Sequence, residues 1–342
     1  MTPVEYPLWV WLSFFALVLV ALFVDVGIVN RKSHAPTRKE TFTWSAVWVS
    51  LALAFNGFIF FQFGGFKAKE FLTGYLIEMS LSIDNLFVFL LIFKFFKVPK
   101  KYQHRVLFWG IFMALVMRLA MILAGAELVE KFDWVLYVFG AFLVYTGIKM
   151  FGEDEAFEPE DSAIVRLTTR FVRIKKDYEG EKFFVRHDGV LTGTLLLLVL
   201  IVINVADLVF AVDSIPAIFG ITTDRFIVYT SNIFAILGLR TFFFLLADLA
   251  EKFHLLKYGL AFVLSFIGVK MLLPLLGVGL LKLMGEGGTS PFAVFLQRYH
   301  HHDFEQAVIN LSLGIVVAAL IVSVILSLIF PPSHIDIPTD EE

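Results

Sequence analysis

Two short acidic motifs with nearly the same spacing lie inside apolar segments of this chain. They are Glu78-Met-Ser-Leu-Ser-Ile-Asp84-Asn85 and Asp207-Leu-Val-Phe-Ala-Val-Asp213-Ser214. In each motif an acid is followed by five residues, a second acid and a small polar side chain. A carboxylate at the centre of a lipid bilayer costs at least about 2.5 kcal/mol. Four acids in matched positions therefore predict an ion site within a membrane.

The expected metal ligands are oxygen atoms of the two motifs, with Ser82 and Asp25 as accessory candidates. The ligand set is Glu78, Asp84, Asn85, Asp207, Asp213 and Ser214. Oxygen ligands suit Mg, Ca and Mn, whereas Zn and Cu favour imidazole or thiolate groups, which both motifs lack. Glu78, Ser82 and Asn85 share one face of a regular helix, but Asp84 points about 100° away. We therefore expect local unwinding near residues 82–84 and 211–216.

Two arginines are the predicted counter-charges of this site. Arg118 and Arg240 fall near the middles of apolar segments. Four acids and two arginines leave two negative charges, which one divalent cation would neutralise. Two alternatives stay open at this point: the acids pair only with the arginines, or a carboxylate stays protonated because it is desolvated.

The composition predicts an all-α polytopic membrane protein. The chain is 58% hydrophobic and 17% charged, against roughly 45–50% and 25% in soluble proteins. A net charge of −3 gives no basic footprint for nucleic acid, and the absence of cysteine excludes disulfides and thiolate sites. A spanning helix needs about 20 apolar residues. We count about nine such segments, at residues 8–29, 43–63, 71–95, 106–127, 134–151, 191–217, 226–250, 256–276 and 307–330.

The distribution of Lys and Arg predicts an orientation. The loops after the first, third and fifth spans are rich in these residues, and the alternate loops are poorer. Since basic loops stay in the cytoplasm, we expect an extracytoplasmic N-terminus and a cytoplasmic C-terminus. The expected divisions are 1–70 for two N-terminal spans, 71–151 and 191–276 for two three-helix units, 152–190 for a cytoplasmic linker, 277–306 for an extracytoplasmic loop, and 307–342 for a last span with an acidic tail.

Two hydrophilic segments admit a second interpretation. The linker at 152–190, which we expect to hold a short amphipathic helix or a hairpin, is alternatively a regulatory domain. The tract His300, His301 and His302, followed by Asp303, is either incidental in an exposed loop or able to collect a metal ion.

The motifs belong to a longer internal repeat. Arg118 aligns with Arg240, Leu128-Val-Glu-Lys-Phe132 with Leu249-Ala-Glu-Lys-Phe253, and Tyr145-Thr-Gly-Ile-Lys-Met150 with Phe266-Ile-Gly-Val-Lys-Met271. Spans 3–5 therefore match spans 6–8. Because each unit has an odd number of spans, the second enters the membrane from the opposite side. Inverted repeats around a midplane site are typical of secondary transporters.

The paired motifs resemble the TerC family of integral membrane proteins, which is named for tellurite resistance and includes Alx-type manganese exporters. The second motif extends the likeness with Ile-Pro216-Ala, and the resemblance covers about residues 8–330. It implies export of Mn²⁺ across a bacterial inner membrane. It also implies that Glu78, Asp84, Asn85, Asp207 and Asp213 are the ion ligands.

Three functions are therefore weighed. The first is a divalent-cation exporter, with Mn²⁺ as the expected substrate. The second is a proton-coupled anion or tellurite-resistance transporter that holds its substrate with Arg118 and Arg240. The third is a membrane assembly protein that transports nothing. The excess of acids favours the first. No P-loop, hydrolase or redox motif is present, so we expect no enzyme and no tightly bound cofactor. The expected partners are the metal ion and the lipid bilayer, and no segment predicts an oligomeric state.

Overall fold

The computed structural model describes residues 6–24, 38–132, 134–152, 174–175, 177–187, 190–247, 255–284 and 302–330. Within these ranges the chain is almost entirely helical. The helices are α1 Leu8–Val24, α2 Arg38–Phe95, α3 Lys100–Lys131, α4 Val135–Met150, α5 Leu195–Phe219, α6 Arg225–Leu237, α7 Leu239–Ala247, α8 Leu256–Met284 and α9 His302–Ile329; the strands are β1 Phe184–His187 and β2 Val190–Gly193.

The described helices fit an integral membrane protein. Five segments are long and apolar enough to cross a membrane: Lys39–Phe95, Lys100–Lys131, Leu195–Phe219, Leu256–Leu275 and Val308–Ile329. Three shorter apolar helices are Leu8–Ala21, Val135–Met150 and Arg225–Leu237. The helical membrane class predicted from composition is confirmed, and the count of nine spans stays a prediction.

Helix α2 is two helices joined at Gly64. An unbroken helix of its 58 residues would be about 87 Å long, against a hydrocarbon core of about 30 Å. Gly64 has φ 88° and ψ 167°, a conformation that glycine adopts without the strain of a side chain. The rings of Phe55 and Phe71 then lie 5.5 Å apart, whereas a straight helix would separate them by about 24 Å. The chain therefore reverses at Gly64, between the predicted second and third spans.

Helix α6 is the buried centre of the bundle. Every residue from Phe226 to Leu237 is buried. The ring of Phe234 lies 4.8 Å from that of Phe55 and 6.0 Å from those of Phe14 and Phe71, so α1 and both halves of α2 pack around it. A helix surrounded by apolar neighbours can still present a polar side chain to the interior, and Asn232 does so.

The predicted seventh span differs from one continuous helix. The structure ends α6 at Leu237 and begins α7 at Leu239, with Gly238 between them. Gly238 keeps a right-handed helical backbone with φ −78° and ψ −15°, and the N–H of Phe242 donates to its carbonyl oxygen at 3.0 Å, so the interruption is only one residue long. A Cβ on Gly238 would lie 2.6 Å from the ring of Phe242, so the site is tight for a larger residue.

Helices α4 and α8 pack closely through small residues. A Cβ on Gly140 would lie 3.0 Å from the carbonyl oxygen of Gly268, and a Cβ on Gly147 would lie 2.8 Å from that of Ala261. As the residue number rises along α4, the residue number of its contact in α8 falls, so the two helices are antiparallel. Small residues let helix backbones approach in this way in membranes.

The described end of the 152–190 linker leads into a β-hairpin. Strand β1 pairs antiparallel with β2, with Phe184 opposite Gly193 and Arg186 opposite Leu191. Ile174 forms an isolated parallel bridge to Gly193. Thr194 then precedes α5, and its hydroxyl donates to the carbonyl oxygen of Lys182 at 2.7 Å. The hairpin is therefore fixed directly to the beginning of a membrane helix.

Candidate ion site

Arg118 lies in the middle of α3 with 1% of its surface exposed. Its Nη1 contacts Oε1 of Glu78, which lies in the second half of α2 and is fully buried. Its Nη2 lies 3.1 Å from Oδ1 of Asp207, and its Nε donates to Oδ2 of the same carboxylate at 3.4 Å. The guanidinium therefore bridges one carboxylate from α2 and one from α5.

Neutral groups complete the surroundings of the guanidinium. Arg118 Nη1 also donates to the hydroxyl oxygen of Ser214 at 3.5 Å and to the amide oxygen of Asn232 at 3.4 Å. The hydroxyl of Ser82 donates to Glu78 Oε1 at 3.4 Å. We call Glu78, Arg118, Asp207, Ser214 and Asn232 the mid-helix cluster, because each lies within the length of its helix rather than at an end.

The mid-helix cluster joins equivalent positions of the two sequence repeats. Glu78 and Asp207 are the first acids of the two motifs, and the structure brings both within reach of one guanidinium. Arg118 forms a fork of donors that suits two carboxylates at once. A buried carboxylate without a partner is strongly unfavourable, so this arrangement keeps the empty site stable.

The second acid of the α5 motif points elsewhere. Oδ1 of Asp213 accepts a hydrogen bond from the hydroxyl of Thr146 in α4 at 3.4 Å. The expected unwinding near residues 211–216 is absent, because α5 runs unbroken from Leu195 to Phe219 with Pro216 inside it. Pro216 has no backbone N–H, so the carbonyl oxygen of Val212 lacks its usual helical donor even though the helix stays regular. The expected unwinding was therefore wrong for this helix, and one carbonyl near the motif is still without its usual helical partner.

The first motif is also fully helical in the structure. Residues 82–85 lie within α2, whose only non-helical backbone is at Gly64, so the unwinding expected there is likewise absent. Asn85 is buried with 8% exposure. Asp84 and Arg240 lie in α2 and α7, and their side chains are not among the described ones. Asp25, His300 and His301 lie outside the described residues, and the side chain of His302 does also.

The described side chains do not form a preassembled metal site. Within the described ranges, no group of three or more His, Asp or Glu side chains is placed to hold a metal ion. The formal charges of the described acids exceed that of Arg118. Glu78, Asp207 and Asp213 carry three negative charges and Arg118 carries one positive charge, so two negative charges remain. A metal ion would have to replace the guanidinium between Glu78 and Asp207.

Oε2 of Glu78 is a buried acceptor atom that a metal ion could contact. This oxygen is buried and, among the described residues, has no hydrogen-bond partner. Nδ2 of Asn232 is likewise a buried donor without a partner in this part of the chain. Buried polar atoms are nearly always bonded, so each exception calls for an explanation.

A second charged cluster, which the sequence did not predict, lies at helix ends. The ammonium of Lys67 contacts Glu70 at 2.9 Å and Asp224 at 2.7 Å. The hydroxyl of Tyr6 donates to Oδ2 of Asp224 at 2.6 Å. Asp224 also caps α6 by accepting from the backbone N–H groups of Phe226 and Ile227. We call Tyr6, Lys67, Glu70 and Asp224 the helix-end cluster.

Both clusters contain residues that sequence reasoning did not select. Asn232 and Thr146 are uncharged and sit in apolar helices, so only the fold shows what they contact. Thr146 does lie in the repeated segment 145–150, which was a usable signal. Asp224 precedes the apolar run of α6, which is the usual place for a helix cap.

Known proteins with similar sequences identify the family of this chain. The model of the "Integral membrane protein TerC family" matches residues 63–333. A protein of Myxococcus xanthus named "Uncharacterized membrane protein STKORF319" is 49% identical over 262 residues, 76% of this chain and 82% of that protein. The "Putative membrane-bound redox modulator Alx" of Escherichia coli K12 is 47% identical over 283 residues, 80% of this chain and 88% of that protein.

A further relative extends the same pattern. An "Uncharacterized membrane protein" of Rickettsia bellii is 42% identical over 262 residues, 76% of this chain and 87% of that protein. No solved structure matches the chain. The family match includes both acidic motifs and Arg118, and it ends beyond α9.

Proposed function

The chain belongs to the TerC family of integral membrane proteins, and we propose that it is a secondary transporter that exports a divalent metal cation, with Mn²⁺ as the expected ion. One observation carries the proposal: a positive charge already lies between two buried acids at equivalent motif positions. A group that holds a guanidinium in the centre of a membrane protein can also hold a metal cation, once the guanidinium moves away.

The surroundings of Arg118 offer it another place to bind. Its Nη1 already contacts the neutral oxygens of Ser214 and Asn232. When a divalent cation binds Glu78 and Asp207, repulsion pushes the guanidinium off the carboxylates. The neutral oxygens then keep some of its hydrogen bonds. In the empty transporter the arginine therefore offsets part of the negative charge of the acids, and in the loaded transporter the divalent substrate offsets the rest.

The chemistry of the ligands supports Mn²⁺ rather than Zn²⁺. Two motifs, each with two acids and a small polar group, supply six oxygen ligands, which suit the coordination of Mn²⁺. Zn²⁺ prefers four ligands and often nitrogen or sulfur. Since α2 and α5 remain helical, side chains provide most of these ligands. The loaded state then differs from this one by movement of Arg118 off the two carboxylates and by rotation of Asp213 away from Thr146.

The packing of α4 on α8 supports an inverted repeat. The sequence repeat aligns residue 140 with 261 and residue 147 with 268. The contact of Gly140 with Gly268 therefore corresponds to the contact of Ala261 with Gly147, and both occur. A pair of antiparallel contacts that exchange in this way is what a two-fold axis between the units produces. Such an axis in the membrane plane relates the halves of many transporters.

The bias of Lys and Arg supports the direction of insertion. The N-terminus then lies outside a bacterial inner membrane and the C-terminus lies in the cytoplasm. Under this orientation the helix-end cluster is at the extracytoplasmic end, because Tyr6 precedes α1 and Lys67 follows the reversal at Gly64. The β-hairpin is at the cytoplasmic end.

Two other functions make different predictions. An anion or tellurite-resistance transporter would use Arg118 to hold its substrate, but here the guanidinium is engaged by two carboxylates. An assembly protein would have no use for two remaining negative charges in its interior. Thiol redox chemistry is excluded for this chain, which has no cysteine.

Transport by purified protein in sealed vesicles tests the proposal. We expect vesicles that contain only this protein to move Mn²⁺, and Asp84→Asn and Asp213→Asn each to abolish movement while the protein still inserts. Glu127→Gln is a matched control, because this acid is exposed at the end of α3 and should leave transport unchanged. Wild-type rates in both motif variants would show that the proposed site is wrong.

Metal content of cells tests the identity of the ion. Cells that lack the protein should accumulate manganese and become sensitive to it, with zinc little changed. Elemental analysis that shows raised zinc and unchanged manganese would overturn Mn²⁺ as the substrate and leave the transporter intact as a proposal.

A further inference from the structure

One face of the β-hairpin combines exposed apolar and basic side chains. Side chains alternate between the two faces of a strand, and directly paired residues share a face. Phe184, Arg186 and Leu191 are therefore on one face, since Arg186 is opposite Leu191. Phe184 is 51% exposed and Leu191 is 64% exposed, whereas Val185 and Thr192 on the other face are half-buried.

The hairpin is held at the level of the membrane surface. Strand β2 ends at Gly193, and α5 begins at Leu195 with an apolar run that enters the bilayer. The hydroxyl of Tyr178 donates to the carbonyl oxygen of Phe96, just past the end of α2, at 2.6 Å. Arg105, near the start of α3, pairs with Glu181 at 3.1 Å. Contacts with α2, α3 and α5 thus fix the position of the hairpin relative to the membrane surface.

A basic cavity lies beside the exposed face. It has a volume of about 480 Å³ and is lined by Lys175, Glu179, Lys182, Phe184, Val185 and Arg186. Three of these residues are basic and one is acidic, so the lining carries two net positive charges. Glu179 pairs with Lys175, which leaves the charge concentrated on the side of Lys182 and Arg186.

We propose that this hairpin face is a docking surface for the phosphate headgroup of an anionic phospholipid. The charge is complementary, and the cavity opens at membrane height next to two exposed apolar side chains. Phe184 and Leu191 then contact the upper part of the acyl chains, while Lys182 and Arg186 contact the phosphate. Basic residues beside membrane helices are attracted to anionic lipids, which are enriched on the cytoplasmic side. The charge bias of the loops predicts the same side for this hairpin.

A fluorescent label at Leu191 tests the surface directly. The chain has no cysteine, so Leu191→Cys can be labelled with an environment-sensitive nitrobenzoxadiazole dye without other changes. The full-length protein is placed in nanodiscs of phosphatidylcholine, with or without phosphatidylglycerol. We expect a blue-shifted emission that appears with phosphatidylglycerol. Equal emission in both lipids would overturn the proposal, and this comparison needs no variant of the basic residues.

Charge variants sharpen the result. Each basic side chain at an anionic membrane surface contributes roughly a factor of five in attraction at moderate salt. Lys182→Gln with Arg186→Gln should therefore weaken the attraction about 25-fold, so that the emission shift is largely lost at the phosphatidylglycerol fraction that gives the half-maximal shift in the parent protein. The matched control is Lys100→Gln with Lys101→Gln, two exposed lysines at the start of α3, which should leave it unchanged. An equal effect of both pairs would overturn the site.

Free anions form the last arm of the test. Inorganic phosphate added to phosphatidylcholine discs should not shift the emission, because it brings no acyl chain to Phe184 and Leu191. A shift with inorganic phosphate alone would identify a soluble anion as the ligand and overturn the assignment to lipid.

Discussion

The mid-helix cluster and the helix-end cluster each place one cation between two carboxylates. Arg118 bridges Glu78 and Asp207 in the interior, and Lys67 bridges Glu70 and Asp224 where helices begin. Arg118 and Glu78 are almost completely buried, whereas the side chains of Lys67 and Asp224 are 13% and 10% exposed. The same charge pattern therefore occurs in two environments.

The partners of the two clusters differ as well. Arg118 contacts side chains from the interiors of α2, α5 and α6, which come from distant parts of the chain. Asp224 is held by its own helix through two backbone N–H groups and by the hydroxyl of Tyr6. A carboxylate that caps a helix has a structural role that does not need a movable ion. The comparison indicates that the burial of the cation and the capping of a helix by Asp224, rather than the pattern of charges, distinguish the two clusters.

The largest expected effect is that of Arg118→Ala. It leaves two buried carboxylates without a cation, which should cost about 3 to 5 kcal/mol of stability and reduce the yield of folded protein. Fluorescence-detected size-exclusion chromatography measures this yield. Arg105→Ala is the matched control, because that arginine lies on the same helix but is 41% exposed and should cost less than about 1 kcal/mol.

A second variant identifies the partner. Arg118→Ala combined with Glu78→Gln should recover part of the lost yield, because one uncompensated charge is removed. A double variant that folds no better than Arg118→Ala would count against Glu78 as the main partner and direct attention to Asp207.

A smaller effect is expected for Lys67→Ala. The charged hydrogen bonds to Glu70 and Asp224 should contribute about 1 to 2 kcal/mol, because the side chains of Lys67 and Asp224 are 13% and 10% exposed and water can replace part of the interaction. Thermal unfolding in detergent measures the difference. Lys69→Ala is the control, since Lys69 is exposed two residues away. If Lys67→Ala destabilised the protein as strongly as Arg118→Ala, the distinction between the clusters would fail.

Tyr6→Phe should cost less again, about 0.5 to 1.5 kcal/mol, because it removes one hydroxyl donor to Asp224 and keeps the ring. The ring of Tyr6 stacks 4.4 Å from that of Phe226. Burial, and then the charge of Asp224, raise the pKa of Tyr6 above its ordinary value of 10.0. The protonated form is therefore favoured by folding, and its contribution should be constant near neutral pH and fall as the pH rises above about 10. Unfolding curves of the parent protein and of Tyr6→Phe, recorded at a series of pH values, measure this contribution.

The smallest expected effect is that of salt. Raising the ionic strength from about 0.1 M to about 1 M shortens the screening length from about 10 Å to about 3 Å. The penalty of Lys67→Ala should shrink by a few tenths of a kcal/mol, because Lys67 and Asp224 are partly exposed to water. The penalty of Arg118→Ala should not change, because the interior excludes salt. Equal salt dependence of both penalties would show that water reaches the mid-helix cluster.

The sequence predicted the helical membrane class and drew attention to Glu78, Asp207 and Arg118. Apolar segments contain few charged residues, so the sequence leaves few possible partners for each of them. The helix-end cluster was missed for the opposite reason. Lys67 and Glu70 look like ordinary charges near the end of a span, and Tyr6 meets Asp224 across 218 positions of the chain.

The geometry within the helices was predicted less well. Spacing on a regular helix put Asp213 about 120° from Asp207, and unwinding was expected to bring them together. The structure instead keeps α5 regular and satisfies Asp213 with Thr146 from α4. Spacing alone contains no information about which neighbouring helix offers a partner.

The turn at Gly64 determines the direction of every helix that follows it. A chain that passed this point without turning would exchange inside and outside for all later segments, so the parity of the topology depends on it. A Cβ at Gly64 would meet no atom within 4 Å, so Gly64→Ala would add the backbone strain of a φ, ψ region that essentially only glycine occupies, about 1 to 3 kcal/mol. The order of inside and outside therefore depends mainly on the two apolar segments 43–63 and 71–95, each of which matches the bilayer thickness. We expect this order to persist when Gly64, which makes the turn easy, is replaced.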